Sequence, residues 1–430
     1  MDSYIIKGQN RLNGELNIHG AKNAALPILA ACVLVKGTVK LTNVPIISDT
    51  IITIEILRHL GANVSIDGST AFIDCSQITD NHVPEFLAKK MRSSIIFMGA
   101  LLARTGSVNI SMPGGCKLGQ RPIDLHLNGL KALGAEIKQE NGNISCISNS
   151  LKGARINLTF PSVGATQNIM LAAVYAKGTT IIENAAKEPE IIDMAKMLNL
   201  CGAKITIGQN ITIEGVETLR SAAHKIMGDR IVAGTYLAAA AITRGQVYLK
   251  GVEKAAMMPI IEAFKKCGMY ITADEDIIYA RATKLNSTIV TTDPHPGFPT
   301  DMQPQIMAVL STVAGTSIIE EKVFEARSKH VKELNKMDAA IFETTSKRNT
   351  GIFTITGERL KGEMVKAQDL RGGAALILAG LAAHGTTIVQ GAEYVKRGYH
   401  SIEQDLKSLG ADIQYLPPQD IIYADTGTGV

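Results

Sequence analysis

The sequence predicts an α/β protein built from six repeats of about 70 residues, and three observations predict it. One glycine pattern ends amphipathic segments, a second separates Ala/Leu-rich segments from Thr/Val/Ile-rich ones, and both patterns recur six times. Apolar residues make up 46% of the chain and charged residues 20%, which excludes a disordered protein. At about 150 residues per domain we expect two or three domains, and six repeats divide evenly into three and three.

The first pattern is a small–Gly–small end to each amphipathic segment. Its central positions are spaced by 66 to 73 residues: Gly61, Gly134, Gly202, Gly268, Asp338 and Gly410. A helix that ends in a left-handed residue favours glycine there, and Asp is one of the few residues that tolerate this conformation. We therefore expect Met337-Asp338-Ala339 to end a helix as the five glycine copies do.

The second pattern is a glycine that follows an Ala/Leu-rich segment, at Gly37, Gly106, Gly178, Gly245, Gly315 and Gly385. Each unit then reads as an apolar helix, a short strand, an amphipathic helix and further strands. After Gly61 the pattern predicts strands over Asn63–Ile66 and Thr70–Asp74, with Asp67-Gly68 as the hairpin turn between them.

One residue stands at the start of each Ala/Leu/Ile-rich helix, at a nearly constant distance before the glycine of the second pattern. These residues are Lys22, Arg92, Gly164, Arg230, Asp301 and Arg371. Free backbone N–H groups and the helix dipole make a helix start attractive to anions. A charge at a single helix start is ordinary surface chemistry, but four cations at six equivalent starts predict an anion site between the halves, with Asp301 as its one carboxylate.

The interval between Gly106 and Gly134 is 28 residues, whereas the equivalent intervals are 23 to 25. The extra residues form the Gly-rich segment 112–122, which has the composition of a loop that closes over a ligand. Within it Cys116 is flanked by Lys117 and Arg121, and neighbouring cations favour the thiolate. We expect Cys116 to be the reactive thiol and the other five cysteines to be buried apolar residues.

Composition excludes several classes of partner. The net charge is only +4, the basic residues are dispersed, and aromatic residues are 4% of the chain with no Trp, which argues against nucleic acid. The apolar stretch Ala24 to Val35 is too short to span a membrane, and no export pattern precedes it. Neither CxxC nor HExxH occurs. We expect a cytoplasmic protein with no metal and no organic cofactor.

Six segments together carry a family resemblance: HGAKNAALPILAA from His19, PGGCKLGQRPIDLH from Pro113, SVGATQNIM from Ser162, HPGFPTDMQPQ from His295, DLRGGAALILAG from Asp369 and KRGYHSIEQDLKSLGA from Lys396. They resemble the UDP-N-acetylglucosamine enolpyruvyl transferases, collinearly from about residue 1 to 415. The resemblance implies a two-domain inside-out α/β barrel. The domains are expected at 22–228 and at 1–21 plus 229–417, followed by a tail at 418–430.

The same resemblance implies the reaction. Phosphoenolpyruvate and UDP-N-acetylglucosamine would be the substrates, and phosphate and the enolpyruvyl ether the products, in the first committed step of peptidoglycan synthesis. Cys116 would be the general acid that protonates the methylene carbon, and in this family the antibiotic fosfomycin alkylates that thiol. Asp301 would take the proton from the sugar 3-hydroxyl.

The remaining roles that the resemblance implies are binding roles. Lys22, Arg121 and Arg397 would hold the phosphate and carboxylate of phosphoenolpyruvate, with Asn23 beside them. Asp369 and Arg371 would shape the site, and the backbone of Val323 would contact the amino sugar. The uridine diphosphate would be held by Arg92, Arg121, Pro122, Ile123, Asp124, Leu125, Ser162, Val163 and Gly164.

Two alternatives stay open on the sequence alone. A shikimate-pathway enolpyruvyl transferase has the same fold and the same enol donor, but it lacks the reactive Cys loop. A non-catalytic repeat protein could keep the fold and only bind ligands. The presence of Cys116, Asp301, Lys22 and Arg397 argues against a degenerate copy.

Overall fold

The structure is a computed structural model that describes residues 2–112, 114, 123–324, 327–345 and 351–418. These residues divide into two compact units. Unit 1 comprises Met1–Ile18 and Gly228–Val430, and unit 2 comprises His19–Met227. Within the described ranges, no helix is both long and apolar enough to cross a membrane.

The strands are short and are numbered in chain order. They are β1 Ser3–Lys7, β2 Asn13–Asn17, β3 Thr38–Thr42, β4 Asn63–Asp67, β5 Thr70–Asp74, β6 His82–Val83, β7 Ser107–Ser111, β8 Glu136–Glu140, β9 Asn143–Ile147, β10 Arg155–Asn157, β11 Thr179–Glu183, β12 Lys204–Ile207, β13 Ile211–Glu214, β14 Ala222–Lys225, β15 Gln246–Lys250, β16 Tyr270–Asp274, β17 Ile277–Arg281, β18 Ile289–Thr292, β19 Ser317–Glu321, β20 Ile341–Thr345, β21 Gly351–Ile355, β22 Met364–Lys366, β23 Thr386–Gln390 and β24 Asp412–Leu416.

The α-helices lie between groups of these strands. They are α1 Lys22–Ala31, α2 Ser48–His59, α3 Glu85–Ala88, α4 Phe97–Thr105, α5 Asp124–Ala132, α6 Val163–Ala173, α7 Pro189–Leu200, α8 Arg230–Ile242, α9 Lys254–Lys266, α10 Gln303–Leu310, α11 Lys329–Lys336, α12 Leu370–Ala382, α13 Ala392–Val395 and α14 Ile402–Ser408. Short 3-10 helices occupy Cys32–Leu34, Arg92–Ile96 and Thr300–Met302.

The described strands form six four-stranded sheets, and all six share one pairing pattern. One parallel pair lies at an edge of each sheet, and the other two pairings are antiparallel, as in β14-β3-β5-β4. Unit 2 contains this sheet together with β6-β7-β9-β8 and β10-β11-β13-β12. Unit 1 contains β16-β17-β15-β2, β18-β19-β21-β20 and β22-β23-β1-β24. The sheets therefore repeat the period that the glycines predict.

The Ala- and Leu-rich helices form the core of each unit. In unit 1, α8, α10 and α12 contact one another and are buried along nearly their whole length. In unit 2, α1, α4 and α6 are buried in the same way, and α4 contacts both of the others. Side chains such as Ala and Gly let helix backbones approach closely, and the sheets cover these helices. This places the helices inside and the strands outside in each unit.

The helix ends confirm the first glycine pattern. All six central positions have a positive φ, including Asp338 at +67°. Asp338 therefore replaces glycine in the left-handed conformation that ends α11, as the sequence predicts. The second pattern varies in the fourth repeat, where Arg244 rather than Gly245 takes the positive φ. Gly245 is needed for another reason, since a Cβ there would lie 2.1 Å from the carbonyl oxygen of Leu12.

The first hairpin differs from the prediction by one residue. Asp67 belongs to β4, because it pairs with Thr70 and so closes a two-residue turn of Gly68 and Ser69. Gly68 has a φ of +54°, which the turn requires. The predicted turn Asp67-Gly68 was wrong in its first residue.

Candidate active site

The six predicted helix-start residues all lie where helices begin. Lys22 and Arg230 are the first residues of α1 and α8, and Arg92 opens the 3-10 helix before α4. Gly164 and Arg371 are the second residues of α6 and α12. Asp301 lies in the 3-10 helix that runs into α10. These placements confirm the helix prediction.

In unit 1, the carboxylate of Asp301 lies between two arginines. Its Oδ1 accepts from Nη2 of Arg327 at 2.9 Å, and its Oδ2 accepts from Nη2 and Nε of Arg371 at 3.1 and 3.3 Å. Both arginine side chains are only 5% exposed, whereas the Asp301 side chain is 26% exposed. Both oxygens of Asp301 are therefore held by arginine side chains.

The two arginines control the protonation of Asp301. Burial by itself raises the pKa of the carboxyl group, but the charges of Arg371 and Arg327 and their hydrogen bonds outweigh burial and hold it well below its usual range. In return, burial lowers the pKa of Arg371, but Asp301, Tyr399 and Asp229 together outweigh burial and raise this pKa above its ordinary value. Asp301 is therefore ionised at neutral pH, and the two arginines fix its orientation.

Arg327 was not among the residues predicted from the sequence. It lies between β19 and α11, where helical or strand periodicity gives no signal. Its Nη1 donates to the carbonyl oxygen of Thr300, and its guanidinium lies 5.0 Å from the ring centroid of Phe324. These contacts fix the guanidinium beside Asp301, and only the other arginine of the pair, Arg371, is predicted from the sequence.

The predicted contact residue Val323 lies just after β19. Its backbone N–H donates to Oε1 of Glu321 at 2.9 Å, and the same oxygen accepts from the N–H of Phe324 at 3.0 Å. Thr300 Oγ1 also donates to this buried carboxylate. Because the N–H of Val323 is occupied, the group left for a ligand contact is its carbonyl oxygen.

Asp369 and Arg397 lie in the same unit. Asp369 caps α12, since its Oδ1 accepts from the N–H groups of Arg371 and Gly372 at 3.0 and 2.9 Å. It thereby fixes the backbone that carries Arg371. Arg397 is half-buried in the segment between α13 and α14. His330 lies nearby, and burial lowers its pKa to about 4 although Asp369 acts in the opposite direction.

In unit 2, Lys22 is ion-paired with Asp49. Lys22 Nζ lies 2.7 Å from Asp49 Oδ2, and the side chains are 11% and 3% exposed. Asp49 comes from the first turn of α2 and was not predicted from the sequence. Asn23 is half-buried next to Lys22 on α1. The carboxylate partner compensates the charge of Lys22 at its buried position.

A second group in unit 2 forms around Gly164. The imidazole of His126 packs against this residue, since a Cβ at position 164 would lie 3.1 Å from Cε1 of His126. Burial, and to a lesser degree the charge of Arg92, lower the pKa of His126 to about 4. Asn168 Nδ2 lies 3.0 Å from His126 Nδ1. His126 is therefore neutral, packs against Gly164 and lies within the electrostatic influence of Arg92. No role is predicted for His126 from the sequence.

The turn before α6 is capped by its own residues. Ser162 Oγ accepts from the N–H of Ala165 at 3.4 Å, and Val163 begins the helix. Asp124 and Leu125 open α5, with Asp124 exposed and Leu125 half-buried, while Ile123 is buried before them. Cys116, Arg121 and Pro122 lie outside the described residues, and so do most of the 112–122 loop and positions 419–430 of the predicted tail.

Comparison with known families shows the family to which the chain belongs. The sequence profile of the EPSP synthase (3-phosphoshikimate 1-carboxyvinyltransferase) family matches residues 6–406. The chain belongs to this enolpyruvyl transferase family. Two solved enolpyruvyl transferases share its fold. NikO from Streptomyces tendae has a TM-score of 0.87 and 24% identity, with coverage of 97% of this chain and 99% of NikO. EPSP synthase from Acinetobacter baumannii has a TM-score of 0.76 and 19% identity, with coverage of 97% of this chain and 100% of that chain. The predicted inside-out α/β barrel is confirmed.

Closer relatives within the enolpyruvyl transferase family carry a more specific name. UDP-N-acetylglucosamine 1-carboxyvinyltransferase 2 of Caldanaerobacter subterraneus subsp. tengcongensis is 48% identical over 418 residues, which cover 96% of this chain and 99% of the relative. UDP-N-acetylglucosamine 1-carboxyvinyltransferase 1 of Staphylococcus aureus is 47% identical over 424 residues, which cover 97% of this chain and 100% of the relative. The resemblance inferred from short segments is therefore confirmed over nearly the full length.

Proposed function

We propose that this protein transfers the enolpyruvyl group of phosphoenolpyruvate to the 3-hydroxyl of UDP-N-acetylglucosamine and releases phosphate. The observation that carries the proposal is the 46–48% identity, over 96–97% of the chain, to relatives named for this transfer. The Asp301 site supports it, because an ionised and oriented carboxylate is what deprotonation of a sugar hydroxyl needs. The reaction would be the first committed step of peptidoglycan synthesis, in the cytoplasm.

Asp301 is assigned the role of general base. In the addition step, the 3-hydroxyl oxygen of the sugar forms a bond to C2 of phosphoenolpyruvate, and Asp301 takes the hydroxyl proton. The electron pair of the enol double bond takes a proton at C3 from the thiol of Cys116. In the elimination step, the Cys116 thiolate takes a proton back from the new methyl group, the double bond forms again, and the bond between C2 and the phosphate oxygen breaks to release phosphate.

The low pKa of Asp301 bears on how it would act. A weakly basic carboxylate does not remove an alcohol proton in advance, because the alcohol is a far weaker acid. The transfer is favourable only as the C–O bond forms and the hydroxyl becomes acidic. Arg327 and Arg371 would keep the carboxylate ionised and aimed until that moment. Orientation, rather than basicity, is then the contribution of the arginine pair.

Phosphoenolpyruvate carries a phosphate and a carboxylate, and cations would bind both. We assign Lys22, Arg121 and Arg397 to these groups, with Asn23 as a neighbouring amide donor. Arginine suits this role because its planar fork matches carboxylate and phosphate oxygens. Lys22 and Arg397 are also assigned to catalysis, since they would stabilise the charge of the leaving phosphate. Asp369 would act indirectly, by capping the helix that presents Arg371.

The nucleotide sugar is assigned to the remaining predicted residues. Arg92 would pair with the diphosphate, and the first turn of α6 after Ser162 would offer backbone N–H groups to it. The segment 121–125 would line the uridine. The carbonyl oxygen of Val323 would accept from the amide of the amino sugar, since its own N–H is occupied by Glu321.

Phosphate release separates this function from its alternatives. The protein is incubated with phosphoenolpyruvate alone, with UDP-N-acetylglucosamine added, and with shikimate 3-phosphate added. We expect phosphate only with the nucleotide sugar. Release with shikimate 3-phosphate instead would assign the shikimate-pathway reaction. No release in any mixture, with nucleotide-sugar binding intact by calorimetry, would indicate the non-catalytic binding protein.

A further inference from the structure

A buried tyrosine hydroxyl lies where the three core helices of unit 1 meet. Tyr399 is 1% exposed, and its hydroxyl contacts one side chain from each helix. Thr235 of α8 lies 2.8 Å away, Arg371 of α12 lies 3.4 Å away through Nη1, and Gln305 of α10 lies 3.5 Å away through Nε2. None of these three contacts belongs to the backbone ladder of a helix, so they form a separate side-chain network.

The direction of the hydrogen bonds follows from the donors. Thr235 Oγ1 donates to the carbonyl oxygen of Ile231 at 2.8 Å, so its proton is used within α8. Between Thr235 and Tyr399, the tyrosine hydroxyl is therefore the donor and Thr235 the acceptor. The tyrosine oxygen is left to accept from Arg371, which has only donors. The network thus leads from the backbone of α8 to the guanidinium of Arg371.

The same guanidinium holds Asp301. Arg371 uses Nη1 for Tyr399, and Nη2 and Nε for Asp301 Oδ2. The ring of Tyr399 also lies beneath the guanidinium, with 5.8 Å from Cζ to the ring centroid. A planar group that is fixed at both ends cannot rotate about its long axis. The position of the Asp301 carboxylate is therefore coupled to the Tyr399 hydroxyl through one rigid side chain.

We propose that Tyr399 is a positioning residue for the reaction proposed above, and that its hydroxyl fixes Arg371 and thereby the Asp301 carboxylate in the orientation for proton transfer. The inference rests on the proposed function for its catalytic consequence. Tyr399 does not touch the reacting atoms in this account. Its ring fills the core, and its hydroxyl sets the angle of Arg371.

Substitution of Tyr399 by Phe keeps the ring and removes only the hydroxyl. Tyr236 provides the matched control, because it is also 1% exposed and follows Thr235 on α8. Its hydroxyl donates to Asp405 in α14, away from Asp301. Tyr399→Phe and Tyr236→Phe should each lower the melting temperature, since each removes a buried hydroxyl together with its hydrogen bonds. Only Tyr399→Phe should lower kcat.

The measured quantities are kcat from phosphate release and Kd for UDP-N-acetylglucosamine from calorimetry. We expect kcat of Tyr399→Phe to fall by about 10-fold to 100-fold, the range for a misplaced reacting group, with Kd nearly unchanged. Thr235→Val removes the acceptor and should lower kcat in the same direction. Thr235→Ser keeps the hydroxyl and should restore kcat to near the wild-type value.

Each outcome bears on one hypothesis. A wild-type protein that releases no phosphate overturns the proposed function, whatever the variants do. An active wild type in which Tyr399→Phe and Tyr236→Phe have equal kcat overturns the positioning role alone. An equal loss of kcat in Thr235→Ser and Thr235→Val also overturns it, because the loss would then follow packing rather than the hydroxyl.

Discussion

The side-chain amide of Asn168 fixes the tautomer of His126. Asn168 Oδ1 accepts from the N–H of Gly99 at 2.6 Å, so its Nδ2 faces His126 Nδ1 at 3.0 Å and also donates to the carbonyl oxygen of Ile95 at 3.1 Å. An amide nitrogen can only donate, so Nδ1 must accept. The proton of the neutral ring is then on Nε2, and a charged imidazolium would place two donors against each other.

This relationship predicts a loss of stability in weak acid. The pKa of His126 is lowered from 6.5 to about 4 in the fold, by burial first and by Arg92 second. Between these two pH values the unfolded chain binds a proton that the folded chain does not, so the free energy of unfolding falls as the pH falls. At pH 5 the loss from His126 is about 2 kcal/mol.

The variant His126→Asn tests the linkage, because an Asn oxygen can replace Nδ1 as acceptor and does not titrate. Urea unfolding at pH 7 and pH 5 gives the change in the free energy of unfolding for each protein. The variant should lose about 2 kcal/mol less than the wild type over this interval. Equal losses in the two proteins would show that His126 does not contribute to the pH dependence.

Substitution of Asp301 by Asn tests the proposed base. The change keeps the size of the side chain and removes both the charge and the proton acceptor. Turnover should fall by roughly 10²-fold or more, while Kd for UDP-N-acetylglucosamine weakens only modestly. Stopped assays of phosphate release and calorimetry measure the two quantities. Near-normal turnover would exclude Asp301 as the base.

Asp193→Asn is a control for the loss of a buried carboxylate. Asp193 Oδ1 lies 3.1 Å from His224 Nε2, and its Oδ2 accepts from the N–H of Met227, both within unit 2. This variant should lower the melting temperature and leave kcat near that of the wild type. If it lowers kcat as much as Asp301→Asn does, the effect of Asp301→Asn is one of stability.

Selective alkylation is expected at Cys116. The other five cysteines are buried and free, and burial raises the pKa of each: to about 12 for Cys75, Cys146 and Cys267, to about 11 for Cys201, and well above the ordinary value for Cys32. Iodoacetamide at pH 8 should therefore label one thiol in the native protein and six in urea. Peptide mass spectrometry that finds native labelling at any of the five buried cysteines would contradict this expectation.

The acid role of Cys116 is tested by two substitutions. A carboxylic acid can protonate carbon, whereas a serine hydroxyl is far too weak an acid at neutral pH. Cys116→Asp should keep appreciable turnover, and Cys116→Ser should lose roughly 10²-fold or more while it still binds the nucleotide sugar. Fosfomycin should inactivate the wild type and spare the Asp variant. A fully active Ser variant would exclude the thiol as the acid.

Gly202 tests the conformational rule behind the repeats. Its φ is +106°, and a Cβ there would meet nothing within 4 Å. A substitution at this position therefore lowers the free energy of unfolding only through backbone strain. Gly202→Val should lower the free energy of unfolding by about 1–2 kcal/mol, and Gly202→Asp should lower it less, as Asp338 suggests. Chemical denaturation of both variants measures the difference. Equal losses of unfolding free energy in Gly202→Val and Gly202→Asp would show that an Asp side chain does not reduce the backbone strain.

The sequence by itself determined the features that depend on local conformation. A left-handed residue must end each amphipathic helix, and only Gly or a residue such as Asp338 adopts that conformation at low cost. The recurrence of these positions fixed the six-fold period, the spacing to the second glycine placed Lys22 and Arg371 at or next to helix starts, and residue type predicted the burial of the five cysteines other than Cys116. Similarity of short segments added the family and the acid role of Cys116, which periodicity could not supply.

The tertiary structure alone decided which side chains meet. Arg327 lies in a loop, Asp49 in the first turn of the amphipathic helix α2, and Tyr399 in the segment between α13 and α14. No local rule relates them to Asp301, Lys22 or Arg371, from which they are separated by 26 or more residues along the chain. Buried charges need partners, but the sequence does not show which residue will be the partner of each charge. Packing of the core helices brings each partner within hydrogen-bond distance.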